Sequence, residues 1–130
     1  MIICAPLAGM LKACVSPVPI IHVRTLTKKV MLNVADLGDL SVPGSYAKVY
    51  VEPHANPVLV FQEGEEVRAI LSTCSHSGCE VKKLRTKFEC PCHGSEYDLE
   101  GRVVRGPAPE PLQRFPVVRT QTGIEIIMKG

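Results

Sequence analysis

A chain of 130 residues is long enough for one domain with a small core. Its net charge of +2 is too small to argue for binding to nucleic acid, and no basic stretch is long enough to follow a phosphate backbone. Tryptophan is absent, so the core must depend mainly on valine, isoleucine and leucine. The 11 prolines and 10 glycines divide the apolar residues into short runs, which predicts an all-β fold.

Residues 1–27 differ from the rest of the chain, and we interpret them as a leader. Their start is apolar, but Lys12 and three prolines interrupt the run of about 20 apolar residues that a membrane-spanning helix needs. Residues 11–14 partly resemble a bacterial lipoprotein box, from which Lys12 departs. The remnant of an export or lipoprotein signal is therefore the alternative interpretation of this segment, and Cys4 and Cys14 have no evident partner.

Strand patterns begin after residue 27. The candidate strands are residues 30–34, 46–51, 57–61, 66–71, 88–90, 114–118 and 123–128. Glu63, Gly64 and Glu65 separate two of them and predict a hairpin, the last two predict a second hairpin, and residues 36–44 predict a loop. Together the patterns predict a β base, formed by residues 28–71 and 114–130, with residues 72–113 as an insertion.

Two short loops in this insertion hold four cysteines and two histidines. Residues 74–79 read Cys-Ser-His-Ser-Gly-Cys, and residues 90–95 read Cys-Pro-Cys-His-Gly-Ser. Thiolates and imidazoles suit both iron–sulfur clusters and zinc. Gly78 and Gly94 permit a positive φ and a close approach of the backbone to an inorganic core. From the residues alone, a zinc-stabilised interaction module with two Cys and two His ligands stays an alternative.

The two loops resemble those of the high-potential Rieske proteins of the cytochrome bc and b6f type, over about residues 45–113. The resemblance implies a Rieske domain at residues 28–130, built as an antiparallel β-sandwich with residues 72–113 as an inserted cluster-binding subdomain. It also implies one [2Fe–2S] cluster per subunit. The ligands that it implies are Cys74 and Cys90 on one iron, with His76 and His93 on the other.

Further residues match positions of the same family. The resemblance implies that Cys79 and Cys92 form a disulfide between the two loops. It implies that Ser95 donates a hydrogen bond to a bridging sulfide and that Tyr97 donates one to a ligand cysteine. Residues 106–109 resemble the proline-rich segment that covers the cluster from a third side.

The resemblance implies electron transfer, as the iron–sulfur subunit of a membrane quinol–cytochrome oxidoreductase. Its partners would be a cytochrome or another redox protein, and quinol through a subunit like cytochrome b. One residue departs from this pattern, because bc-type proteins usually carry leucine where this chain has Ser77. Two alternatives therefore stay open: a small Rieske subunit of another oxidoreductase, similar to that of arsenite oxidase, and a free-standing exported carrier.

The chemistry of these residues leads to four further expectations. Two ferric ions, two sulfides and two thiolates sum to zero charge, which predicts a midpoint potential in the upper part of the range of about −150 to +300 mV for Rieske centres. A disulfide persists in an oxidising compartment, which predicts the periplasm or the outer face of a bacterial membrane. Association with that membrane would come through a partner subunit or an N-terminal anchor. No residue is placed as a nucleophile or general base, so the chain alone is a carrier.

Overall fold

The computed structural model describes residues 17–128, which form short strands and one single-turn helix. No helix in this range is long and apolar enough to cross a membrane. The elements are β1 Ile20–Val23, β2 Lys29–Asn33, α1 Val34–Leu37, β3 Tyr46–Val51, β4 Val58–Glu63, β5 Glu66–Leu71, β6 Lys82–Lys83, β7 Phe88–Glu89, β8 Glu96–Tyr97, β9 Val103–Arg105, β10 Arg114–Phe115, β11 Val117–Arg119 and β12 Gly123–Ile127.

Two sheets form the base. One sheet has the strand order β1-β3-β4-β5-β10, and the other has the order β11-β12-β2. Alternate residues of β3 are buried, as a strand with one face on a core requires. Its Val49 shares one apolar core with Val30 of β2 and Ile126 of β12, so the two sheets pack on each other. The fold is all-β, as the sequence predicts.

Strand β4 is buried on both faces. Val58 and Val60 point into the core of the base, whereas Leu59 and Phe61 belong to a second core that also contains Phe88. The Phe61 and Phe88 rings meet edge to face, with their centroids 5.6 Å apart. This double burial explains why β4 reads as a continuous apolar run instead of an alternating one.

The insertion at residues 72–113 lies on the second face of β4 and β5. Its strands form a small antiparallel sheet in the order β6-β7-β8-β9. The cysteines Cys74 and Cys90 belong to the same apolar core as Tyr97 and Phe88. The two cysteine-rich loops therefore extend from a packed support and not from a mobile surface.

The interpretation of residues 1–27 as a leader needs correction at residues 20–23. These residues form β1, which pairs in parallel with β3, and the carbonyl of Pro19 accepts a hydrogen bond from the Lys48 amide at 2.8 Å. A four-residue edge strand after two prolines is too short to show a strand period, which is why the pattern did not predict it. Cys4, Cys14 and the lipoprotein-like residues 11–14 lie outside the described residues.

The predicted strand at residues 114–118 is in fact two strands in two different sheets. Arg114–Phe115 pairs with β5, and Val117–Arg119 pairs with β12. Pro116 lies between them and has no amide hydrogen with which to continue either ladder. The predicted terminal hairpin thus holds only for β11 and β12. The predicted loop at residues 36–44 is also shorter than expected. Its first two residues belong to the end of α1, where the side chain of Leu37 is buried.

Candidate metal centre

The two cysteine-rich loops have the same backbone hydrogen bonds. In each, the amide of the first cysteine donates to the carbonyl five residues later, and its carbonyl accepts from the glycine four residues later. These bonds are Cys74 N to Cys79 O at 2.9 Å, Gly78 N to Cys74 O at 2.8 Å, Cys90 N to Ser95 O at 2.8 Å and Gly94 N to Cys90 O at 2.9 Å. The loops are therefore two copies of one turn.

Both turns depend on glycine for its backbone freedom. Gly78 has a φ of +74° and Gly94 a φ of +78°, a region that other residues adopt only with strain. A β-carbon at either position would meet no other protein atom within 4 Å, so the requirement is conformational and not steric. The positive φ expected from the sequence is confirmed at both positions.

The donor atoms of the loops differ in burial. Cys74 is 2% exposed and Cys90 is 0% exposed, and both are free thiols. His76 and His93 are exposed, and their ring centroids lie 4.7 Å apart with the ring planes at 87°. The structure thus brings the two predicted imidazole ligands together at the surface and places the two predicted thiol ligands inside the protein.

A disulfide joins the two loops between Cys79 and Cys92, whose Cα atoms lie 6.5 Å apart. The sulfur atoms of Cys79, Cys90 and Cys92 lie within 4.8 Å of one another. Sulfurs that are bonded to each other are not available as thiolate ligands. Among the described residues, this leaves Cys74 and Cys90 as the thiols that a metal centre could use.

The Tyr97 hydroxyl donates a hydrogen bond to Sγ of Cys74 at 3.3 Å, and Tyr97 is 0% exposed. Burial raises the pKa of the Cys74 thiol, but the hydrogen bonds from Tyr97 and from the His76 amide outweigh burial and lower the pKa to about 7. Burial and the bond to Cys74 together raise the pKa of Tyr97. The site is therefore built to stabilise a thiolate at Cys74, which is the form that binds a metal.

Two serines attach the proline-rich segment and the residue after it to the loops. Oγ of the buried Ser95 accepts a hydrogen bond from the Ala108 amide at 3.0 Å, which leaves its own proton free to be donated. Ser75 donates to the Glu110 carbonyl at 2.7 Å and accepts from the Glu110 amide at 3.2 Å. Sequence reasoning missed Ser75, for which the only signal was its position between two predicted ligands.

Sequence reasoning also missed Asn56. Its side-chain amide donates to Oγ1 of Thr73 at 3.1 Å and to the Gly78 carbonyl at 3.0 Å, which ties the β3–β4 connection to the first loop. An asparagine in a proline-bounded loop carries no signal of this role. His22 lies outside the two loops: it is exposed and stacks on Tyr50 of the base, with the ring centroids 4.9 Å apart.

The residues present fit an iron–sulfur cluster. Two buried thiols with hydrogen-bond donors and two surface imidazoles meet between matched glycine turns. The family model of the Rieske [2Fe-2S] domain matches residues 29–116. The chain belongs to the Rieske [2Fe–2S] family. A Rieske domain implies one [2Fe–2S] cluster, and this interpretation of the site replaces the zinc alternative.

Curated relatives of this Rieske chain include iron–sulfur subunits of cytochrome b6-f complexes. "Cytochrome b6-f complex iron-sulfur subunit 1" of Nostoc sp. (strain PCC 7120) is 45% identical over 62 residues, which cover 44% of this chain and 35% of the relative. The corresponding subunit of Chlorobaculum tepidum is 33% identical over 78 residues, which cover 58% of this chain and 42% of the relative. The matched regions thus span less than half of either relative.

Solved Rieske structures agree with the fold. The cyanobacterial plasma membrane Rieske protein PetC3 from Synechocystis PCC 6803 is 32% identical, with a TM-score of 0.61, and the match covers 72% of this chain and 93% of that chain. The ferredoxin of carbazole 1,9a-dioxygenase from Nocardioides aromaticivorans IC177 is 24% identical, with a TM-score of 0.60 and coverage of 79% and 100%. This second likeness concerns the fold alone.

Proposed function

We propose that this Rieske chain transfers one electron at a time through a [2Fe–2S] cluster that its two matched loops hold. The observation that carries the proposal is the convergence of two buried free thiols and two exposed imidazoles between those loops. The cluster, when bound, supplies the one-electron redox chemistry. The residues proposed to hold it are Cys74, His76, Cys90 and His93.

The same residues favour a high midpoint potential. A cluster with two thiolate ligands bears less negative charge than one with four, so an added electron is accepted more readily. Hydrogen bonds onto the sulfur atoms act in the same direction, because they favour the more negative state. The Tyr97 hydroxyl provides one such bond to Cys74. Ser95 retains a free proton for a second, which we propose reaches a bridging sulfide.

We propose as its biological setting the iron–sulfur subunit of a quinol–cytochrome oxidoreductase. The names of the cytochrome b6-f relatives support this setting, and a cytochrome is then the expected electron acceptor. The disulfide between Cys79 and Cys92 supports an extracytoplasmic location, because such bonds persist in oxidising compartments. Association with the membrane would then come through the complex or through an anchor.

Ser77 supports a second candidate setting. The polar hydroxyl is exposed at the tip of the first loop, where bc-type proteins usually present leucine to a quinone pocket. A small Rieske subunit that relays electrons from another catalytic subunit, or a free-standing carrier, has no need for an apolar tip. Both settings keep the same cluster and the same ligands.

Metal analysis and EPR of the purified chain test the cluster proposal. We expect two irons and two sulfides per chain and an EPR signal that appears on reduction. His93→Ala should abolish the signal, whereas His22→Ala, a change at a histidine of the base, should retain it. A colourless protein with one zinc ion would overturn the proposal.

Affinity purification from native membranes tests the setting. A tagged chain that brings down b-type haem supports the quinol–cytochrome complex. Recovery of another catalytic oxidoreductase subunit, or of the chain alone, would instead support the second candidate.

A further inference from the structure

We propose that Ser77 donates a hydrogen bond to the ligand sulfur of Cys90 and thereby raises the midpoint potential of the cluster. The inference rests on the proposed role of Cys90 as a ligand. Oγ of Ser77 lies 3.9 Å from Sγ of Cys90. This distance is long even for a sulfur acceptor, so the bond belongs at the weak end of its class.

The direction of this bond follows from the chemistry of the ligand. A free cysteine and a serine can each donate to the other. When Cys90 binds iron it does so as a thiolate, which has no proton to give. The hydroxyl of Ser77 is then the donor, and Sγ of Cys90 is the acceptor.

The contact gives the two ligand sulfurs equivalent partners. Tyr97, which follows the second loop, donates to Cys74 of the first loop. Ser77 of the first loop contacts Cys90 of the second. Each sulfur thus has one hydroxyl from the other part of the site, and the two bonds cross between the loops.

The neighbouring serine shows that the loop uses both of its hydroxyls. Ser75 faces the proline-rich segment and bonds with Glu110, whereas Ser77 faces the second loop. A leucine at position 77, usual in bc-type proteins, could fill space but could not donate to sulfur. The serine therefore adds a donor that the usual residue lacks.

A bond to a ligand sulfur strengthens when the cluster gains negative charge, so the donor favours the reduced state. Ser77 is exposed and water competes for its hydroxyl, unlike that of the buried Tyr97. We therefore expect the smaller effect at Ser77. Loss of the hydroxyl should lower the equilibrium constant for reduction about threefold, which corresponds to about 30 mV at 59 mV per tenfold change.

Redox titration of Ser77→Thr and Ser77→Val at one fixed pH tests the inference. Threonine and valine have nearly the same shape, so the pair differs mainly in the hydroxyl. We expect the threonine variant to stay near the wild-type potential and the valine variant to fall. Thr86→Val, on the exposed turn between β6 and β7, is the matched control and should leave the potential unchanged.

A second readout separates hydrogen bonding from other effects of the substitution. After exchange into D2O, pulsed EPR of the reduced protein should detect a deuteron coupling that the valine variant loses and the threonine variant keeps. Equal potentials and equal couplings in the two variants would overturn the inference. If neither variant retains iron, Ser77→Ala decides by the same two measurements. A wild-type protein without the cluster signal would instead overturn the proposed function.

Discussion

Hydroxyl groups beside the proposed ligand sulfurs are the residue-level feature with the most direct consequence for redox chemistry. The Tyr97 hydroxyl lies 3.3 Å from Sγ of Cys74, inside the protein. One hydrogen bond contributes about 0.5 to 1.5 kcal/mol. Because about 1.4 kcal/mol is a tenfold change, Tyr97→Phe should lower the midpoint potential by about 20 to 60 mV. Redox titration followed by EPR measures this shift.

Tyr50→Phe is the control for that experiment. Tyr50 lies on β3 of the base and stacks on His22. The control should titrate like the wild type. If Tyr97→Phe titrates at the wild-type potential too, the hydroxyl does not act on the cluster.

The residues of the site differ in how far the sequence could reveal them. Within each loop, successive cysteines and histidines stand one to three positions apart, so their spacing is visible in the sequence. Asn56 meets Thr73 across 17 positions, and Ser75 meets Glu110 across 35. Such contacts exist only after the chain folds, and neither residue has a local pattern that predicts its partner.

At the scale of elements, the disulfide joins the two cysteine-rich loops covalently, in addition to the cluster that they are proposed to hold. Replacing Cys79 and Cys92 together by serine removes a link across 13 positions. The expected loss is about 3 kcal/mol in the free energy of unfolding, mainly because the unfolded chain becomes less constrained. Urea unfolding of the two proteins measures it.

The wild-type protein in the presence of a reductant provides the comparison for the disulfide variant. Its free energy of unfolding should fall to that of the double variant. Equal values for the oxidised wild type and the variant would show that the link does not stabilise the fold.

The turn between β8 and β9 contains a carboxylate, that of Asp98, whose contribution to stability should be lost in acid. The Asp98 carboxylate accepts hydrogen bonds from the amides of Glu100 at 3.0 Å and Arg102 at 2.9 Å. Burial raises the pKa of Asp98, but these bonds and the Arg102 side chain outweigh burial and lower the pKa below its ordinary value. The stabilisation is therefore present above the unfolded pKa of about 3.9 and is lost as the pH falls through the folded pKa.

Comparison of Asp98→Asn with the wild type from pH 6 to pH 3 tests this expectation. We expect the variant to be less stable by about 1 kcal/mol at pH 6, with the difference shrinking toward acid pH. The free energy of unfolding in urea at each pH is the measurement. A difference that stays constant over the range would contradict the assignment to ionised Asp98.

Elements were predictable where one face of a strand determines the pattern. Tyr46–Val51 and Glu66–Leu71 have the predicted bounds, because their alternation or their hairpin turn is local. The two-residue strands β6 and β8 carry too few residues for any period, whereas β7 lies within the predicted strand at residues 88–90. The division at Pro116 depends on which sheet each half joins, and that is a property of the whole fold.

At the scale of the whole molecule, Arg68 joins the base to the insertion. It lies on β5 with its side chain 12% exposed, and it forms ion pairs with Glu63 and, at 3.6 Å, with Glu66 and Glu100. It also donates to the Leu99 carbonyl of the insertion at 3.3 Å. Arg68→Met should lower the free energy of unfolding by about 2 kcal/mol, because it removes the charged hydrogen bond to the Leu99 carbonyl together with the ion pairs of a side chain that is largely buried.

Arg24→Met is the matched control for Arg68. The Arg24 and Glu52 side chains are 82% and 68% exposed, and an exposed pair of this kind contributes about 0 to 1 kcal/mol. Denaturant unfolding compares the two variants. If both variants lose similar amounts of the free energy of unfolding, Arg68 stabilises the fold no more than an exposed ion pair does.

Only part of the arrangement of the two cores could be predicted from the sequence. The apolar run from Val58 to Phe61 predicted a strand, and the structure confirms it. That Leu59 and Phe61 would face a second core depends on where residues 72–113 fold back. In the sequence, a strand whose two faces pack on different cores looks the same as a strand that is deeply buried in a single core.

The burial of Cys74 and Cys90 beneath the exposed His76 and His93 gives the proposed centre a single open side. Electron tunnelling slows steeply with separation, so a donor and an acceptor must both approach that side closely. A donor and an acceptor that both use this side would dock in turn, and the exchange of one for the other would then be a step of the electron-transfer cycle.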